Sequence, residues 1–137
     1  MGLILDTCVF IDAERNKHSI DFNQWLGEEL AYISAITASE LLAGVFLAKS
    51  EARRLKRSAF VEAILARIPV LPFTEEVARM HAEIYALLHS KGSLIGAHDL
   101  IIAATALAQG YSLLTRNKAE FERIAGLNVI YYEVQEA

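Results

Sequence analysis

Four places in this 137-residue chain set an acid or an amide at or just beyond a short apolar run. Asp6 follows "GLIL", Glu40 lies in "ISAITASELL", Asp99 in "LIGAHDLII", and Asn117 follows "LLTR" with Glu120 three residues on. Glu40 and Asp99 stand 34 and 93 residues beyond Asp6, so only a fold could gather them. Two carboxylates about 4 Å apart repel by ~4 kcal/mol at the effective dielectric near a protein surface. A hard divalent cation removes that conflict, because Mg²⁺ or Mn²⁺ takes oxygen ligands and keeps several waters. No zinc spacing competes, since His18, His81, His89 and His98 are scattered and Cys8 is the lone cysteine. A metal held this way can activate a water, bind a phosphate oxygen and stabilise a leaving oxygen, which points to phosphodiester hydrolysis.

Such a site needs elements that deliver these residues to one edge. Leu3 to Leu5 reads as a short buried strand and Cys8 to Ala13 as the first helical turns. Phe22, Trp25, Leu26 and Leu30 have helical spacing over Ile20 to Leu30, and Ala31 to Ala35 reads as a second strand. A helix is expected over Thr37 to Lys49, with Thr37 as its cap and Glu40 in the capping-box position. A charged helix over Ser50 to Arg67 stops before Pro69, Val70 to Phe73 forms a strand, and Thr74 caps a helix reaching Ser90. Gly96 to Gln109 reads as a helix ended by Gly110, followed by a strand over Ser112 to Thr115. A short helix over Ala119 to Ala125 and a strand over Val129 to Tyr132 complete the pattern. Short apolar strands alternating with helices imply a parallel sheet covered on both faces. Ligands of such sheets bind beyond the carboxyl ends of the strands, where strand order reverses. Asp6, Glu40, Asp99, Thr115, Arg116 and Asn117 all fall at places that edge could collect.

Composition narrows the class. A length of 137 residues with 54% hydrophobic content suits one globular domain over residues 1–137, with no linker or repeat to divide it. The net charge of −4 gives no global attraction to nucleic acid, so phosphate binding has to be local or metal-assisted. The apolar stretch Leu94 to Leu107 is broken by Gly96, His98 and Asp99 and falls short of the roughly 20 residues that span a bilayer. No basic region precedes the first apolar run, so no secretory signal is expected, and a single cysteine fits a reducing cytoplasm.

The segments "LILDTCVFID", "ISAITASELLAGV", "GAHDLIIAATALAQG" and "LLTRNKAEFERIAGLNVI" resemble, in order and spacing, the four motif regions of PIN-domain ribonucleases. Within that family they look most like the VapC-type toxins of bacterial and archaeal toxin–antitoxin pairs. The resemblance implies a Rossmann-like three-layer α/β/α sandwich with a central parallel sheet of four to five strands. It implies an Mg²⁺- or Mn²⁺-dependent endoribonuclease acting on an RNA such as tRNA or rRNA, a homodimer, and neutralisation by a cognate VapB-type antitoxin. Asp6, Glu40 and Asp99 match the family's metal-binding acids, and Thr7 the small hydroxyl residue that supports the first of them. Many PIN domains have an aspartate two residues after the strand-four threonine, where this chain has Asn117 behind Thr115. The Asn117 amide could still hold a metal or its water, and Glu120 could supply the missing carboxylate from the same helical face. Arg116 is the candidate for gripping an RNA phosphate.

Plainer uses exist for each residue. Asp6 could cap a helix, Glu40 could serve only Thr37, and Asp99 sits where a helix macrodipole favours any acid. Yet "LIGAHDLIIAATALA" is apolar on nearly all sides, so Asp99 needs a partner. His98 reads as a packed or surface residue outside the site, Asp12 and Asp21 as surface acids, and Cys8 as a small buried residue. In "KSEARRLKR", Lys49, Arg53, Lys56 and Arg57 share one helical side, either tracking phosphates or merely solvated. Ala43, Leu47, Leu55, Ile64 and Leu65 exceed what a small sheet covers, which leaves surface for a second copy or an antitoxin. A solitary RNA-processing nuclease and a non-catalytic PIN scaffold are the alternatives. A haloacid-dehalogenase phosphatase would want a second acid at Cys8, and a receiver domain an aspartate where Pro72 and Phe73 stand.

Overall fold

Short runs of Val, Ile and Leu are too apolar to leave either face in water, and here they pair side by side between two layers of helices. In the computed structural model residues 2–16 and 30–133 are described. The elements run β1 (Gly2–Leu5), α1 (Thr7–Asn16), β2 (Leu30–Ser34), α2 (Ala35–Phe46), α3 (Glu51–Arg67), β3 (Val70–Leu71), α4 (Glu75–Ser90), α5 (Ala97–Gln109), β4 (Ser112–Thr115), α6 (Lys118–Phe121) and β5 (Val129–Tyr131). The strands lie in the order β3-β2-β1-β4-β5, every pair parallel. The chain builds outward from β1 through β2 to β3 and then returns to β1's other side with β4. The order therefore reverses between β1 and β4, which opens a crevice beyond their carboxyl ends.

Alternation along each strand makes the three layers. Ile4 and Leu113 point to one face, where they pack with Val77, Ile84 and Leu88 of α4, Leu100 and Ile102 of α5, and Phe121. Leu3, Leu5, Ile33 and Leu114 point to the other, against Val9 and Phe10 of α1, Leu41 and Val45 of α2, and Val61 of α3. Ile64 and Leu65 are drawn into this second cluster, whereas Leu47 and Leu55 remain 78% and 67% exposed, so only part of the expected apolar surplus stays at the surface.

Most boundaries follow local chemistry that the sequence displays. Ser50 and Thr74 cap α3 and α4, their hydroxyls accepting from the Arg53 and Val77 amides. Gly110 ends α5 in the left-handed region, at φ 72°. The expected Thr37 cap is displaced: Ser34 caps α2, its hydroxyl accepting the Thr37 N–H at 3.2 Å, so the helix starts two residues earlier. Thr37 is thereby buried inside the helix, and Glu40 is released from any capping-box role. The helix expected over Ile20 to Leu30 falls on residues 20–29, outside those described, as does Asp21, while Leu30 opens β2. Among the described residues no helix is long and apolar enough to cross a membrane.

Gly110→Ala forces a side chain into the left-handed region with nothing to compensate. A loss of about 1 kcal/mol in unfolding free energy is expected from denaturant titration, with the denaturant slope unchanged.

Candidate active site

Asp6 lies one residue past β1 and is almost wholly buried. A lone carboxylate there would be costly, and three donors meet it. The Thr7 N–H donates to Oδ1 at 2.7 Å, while the Thr115 hydroxyl and the Cys8 thiol donate to Oδ2 at 2.6 and 3.4 Å. Thr115 reaches it because β4 pairs with β1 in the register that sets Leu5 beside Leu114, and the Asp6 N–H extends that ladder to the Leu114 carbonyl. Burial nevertheless wins, holding the Asp6 carboxyl above its usual range against the pull of those donors. Cys8 is buried as expected, and its thiol has the added task of facing Asp6.

Glu40 projects from the second turn of α2 toward the same edge. Its Oε1 accepts the Thr7 hydroxyl at 2.8 Å, and its Oε2 lies 3.4 Å from His98 Nδ1 at the start of α5. His98 thus borders the site, contrary to the expectation that it stands apart. It is reached because α5 begins at the carboxyl edge facing α2. Asp99 follows on the first turn of α5, with Oδ2 so close to Gly96 that an added Cβ would stand 3.3 Å away. Burial and a hydrogen-bonding contact with Glu120, with Asp6 and Glu40 adding repulsion, push the Asp99 carboxyl up to about 7. Glu120, expected as a supporting residue, is the direct neighbour of Asp99, and its Oε2 is buried with no hydrogen-bond partner. Asn117 stands at the mouth of the open cleft with Asp99 and Glu120, its backbone N–H tied to the Thr115 hydroxyl at 3.0 Å. Its side chain makes no cap bond to α6.

Asp12 is the clearest departure from the sequence reading. The expected surface acid is buried, its Oδ2 accepting from the Tyr132 hydroxyl at 2.7 Å and pairing with Arg116 Nε at 3.2 Å. Arg116 is therefore engaged at one edge of its guanidinium. The signal for Asp12 was its helical spacing: it lies four residues after Cys8 on α1, on the side that faces the sheet. Of the basic segment, Arg57 is spent on Glu14 and the Gly44 carbonyl, while Lys49, Arg53 and Lys56 are solvated.

The donors around this edge are oxygen-rich and acid-crowded. Among the described residues no three carboxylate, imidazole or thiol groups are gathered tightly enough to hold an ion as they stand. The chemistry of the set still suits a hard divalent cation: Glu120 has an orphaned buried oxygen, and Asp99 is driven toward its protonated form by burial and by acidic neighbours whose charge a cation would neutralise.

The chain and its fold are similar to those of known proteins. Residues 3–127 match the PIN domain model. The chain is 44% identical over 130 residues to Ribonuclease VapC1 of Rickettsia felis, covering 95% of this chain and 96% of the relative. It is 34% identical over 125 residues to the tRNA(fMet)-specific endonuclease VapC of Salmonella typhimurium, covering 90% and 91%. Among solved structures, VapBC2 from Rickettsia felis bound to a DNA fragment from their promoter superposes with a TM-score of 0.87 at 28% identity, over 97% of this chain and 100% of that one. DNA-bound VapBC from Salmonella typhimurium gives 0.83 at 33% identity, over 96% and 98%.

Asp99 lets its crowding be measured. A carboxyl whose folded value exceeds its unfolded value keeps its proton more tightly when folded, so the folded state is favoured below pH 4 and that advantage is lost as pH rises toward 7. Without divalent ions, wild-type unfolding free energy should fall across that window by about 1–2 kcal/mol more than that of Asp99→Asn, allowing for solvent screening of a half-buried group. Parallel pH profiles for the two proteins would show that the crowding is absent.

Proposed function

This chain belongs to the PIN-domain family, among the VapC ribonucleases, and from that premise we propose that it is an endoribonuclease and the toxin of a toxin–antitoxin pair. The observation that carries the reading is the convergence of Asp6, Glu40, Asp99 and Glu120 on the crevice where strand order reverses. Asp6, Glu40 and Asp99 are the proposed metal ligands, with Glu120 and Asn117 completing the site. Mg²⁺ or Mn²⁺, when bound, supplies an activated water and neutralises charge on the scissile phosphate.

The chain's own groups do the positioning. Thr115, Cys8 and the Thr7 amide fix both Asp6 oxygens, so this ligand needs no reorganisation. The Thr7 hydroxyl sets Glu40 in turn, which ties the second acid to the residue beside the first. Burial and the contact with Glu120 hold the proton on Asp99 up to about 7 in the free protein, and Asp99 gives it up when positive charge enters the crevice. Arg116 offers its guanidinium to an RNA phosphate at the rim. Attack by water in place of the ribose 2′-hydroxyl leaves 5′-phosphate and 3′-hydroxyl ends. A VapB-type antitoxin and a second copy of the chain are the proposed partners, in the cytoplasm.

Cleavage of a structured RNA mixture with Mg²⁺, with Mn²⁺ and with EDTA tests the metal. Activity should vanish in EDTA and fall at least ~100-fold in Asp6→Asn and Asp99→Asn. Cleavage that survives EDTA, or equal rates in the variants, would overturn the assignment. Added Mn²⁺ should also raise the melting temperature of the wild type, by mass action worth about 2.7 kcal/mol at a hundredfold excess over Kd, and leave Asp6→Asn unmoved. A non-catalytic scaffold predicts neither effect. A gene for a small DNA-binding protein directly beside this one separates a toxin from a solitary nuclease.

A further inference from the structure

We propose that Asp12 and Tyr132 are positioning residues that aim the Arg116 guanidinium at a backbone phosphate of the RNA entering the carboxylate crevice; this rests on the ribonuclease reading above. Arg116 stands between Thr115, which donates to Asp6, and Asn117 at the cleft mouth. Its side-chain Nε pairs with Asp12 Oδ2 at 3.2 Å, so the guanidinium is held along one edge. Pairing through Nε occupies one edge of the guanidinium and leaves other N–H groups of the fork for a phosphate.

Exposure assigns the direction. Arg116 keeps 44% of its side chain exposed while Asp12 keeps 11%, so the acid is the buried support and the arginine the presented group. The presented face borders an open cleft of about 580 Å³ that Asp99, Asn117, Lys118 and Glu120 also line. In a chain of net charge −4, this is where a cation can meet a polyanion beside the acids. Stability alone accounts poorly for the arrangement, since a half-exposed ion pair contributes little and a buried acid costs. Tyr132 lowers that cost by donating to Asp12 at 2.7 Å, and burial raises its own ionisation so that the hydroxyl stays a donor. An Arg116 without Asp12 would sample many rotamers, and ordering it would fall on the substrate.

The test measures a fluorescein-labelled RNA hairpin by anisotropy in EDTA, and steady-state cleavage of the same hairpin in Mn²⁺. The variants are Asp12→Asn, Tyr132→Phe, Arg116→Ala and the Asp12→Asn/Arg116→Ala double variant. Asp12→Asn should weaken binding and raise KM about tenfold with kcat within twofold, Tyr132→Phe should do so more mildly, and the double variant should be no worse than Arg116→Ala alone. Additive losses, or Asp12→Asn and Tyr132→Phe that lower the melting temperature while Kd and KM stay put, would overturn the proposal. If Asp12→Asn does not fold, Tyr132→Phe against Arg116→Ala decides it by the same criteria. A wild type that binds the hairpin without cleaving it refutes the ribonuclease reading, while the Kd values still decide the positioning role. A wild type that binds no RNA overturns the proposal outright.

Discussion

One buried hydrogen bond, from the Thr115 hydroxyl to Asp6 at 2.6 Å, is the contact on which the rest of the site depends. It joins the ends of the two central strands across the point where the sheet changes direction. A carboxylate with so little contact with water survives only if donors surround it, and here β4, the start of α1 and the Cys8 thiol each contribute one. Because those donors engage both oxygens of Asp6, its orientation is fixed before any ligand arrives. Glu40 inherits that order through Thr7, and the outer acids do not.

Rigidity therefore falls off from the sheet toward solvent. Asp6 is anchored by backbone and side-chain donors, and Glu40 by Thr7 with His98 beside it. Asp99 and Glu120 meet mainly each other, and burial together with that contact favours the protonated form of Asp99. The inner half of the crevice is preorganised, and the outer half is electrostatically loaded. A protein that binds a small cation gains from this division, since the ordered ligand sets position and the strained pair supplies affinity.

The parallel alternation, the two buried faces, the Ser50, Thr74 and Gly110 boundaries and the acids at the strand ends were legible in the sequence because each rests on local periodicity or on one residue's conformational preference. What was misread depends on tertiary neighbours. Thr37 and Ser34 both suit an N-cap, and only the strand end at Ser34 decides between them. Asp12 looks like any helix-surface acid until β5 delivers Tyr132 and β4 delivers Arg116 to it. His98 reaches Glu40 only because α5 starts opposite α2. Glu120 was seen as a helical-face possibility, but its contact with Asp99 depends on where the short α6 turns. In each case the missing information was the identity of a partner far along the chain.

The Asp6–Thr115 contact spans 109 residues of sequence, and it exists only when β4 lies beside β1 in one register. A slip by a single residue would turn Thr115 toward the opposite face and leave the buried acid without its shortest donor. The long loop that must close before β4 docks also makes this one of the slower pairings to form. The crevice thus acts as a checksum on the whole fold: a nascent or misregistered chain holds the same acids but cannot assemble them. For a PIN-domain ribonuclease the reactive edge is thus confined to molecules that have finished folding.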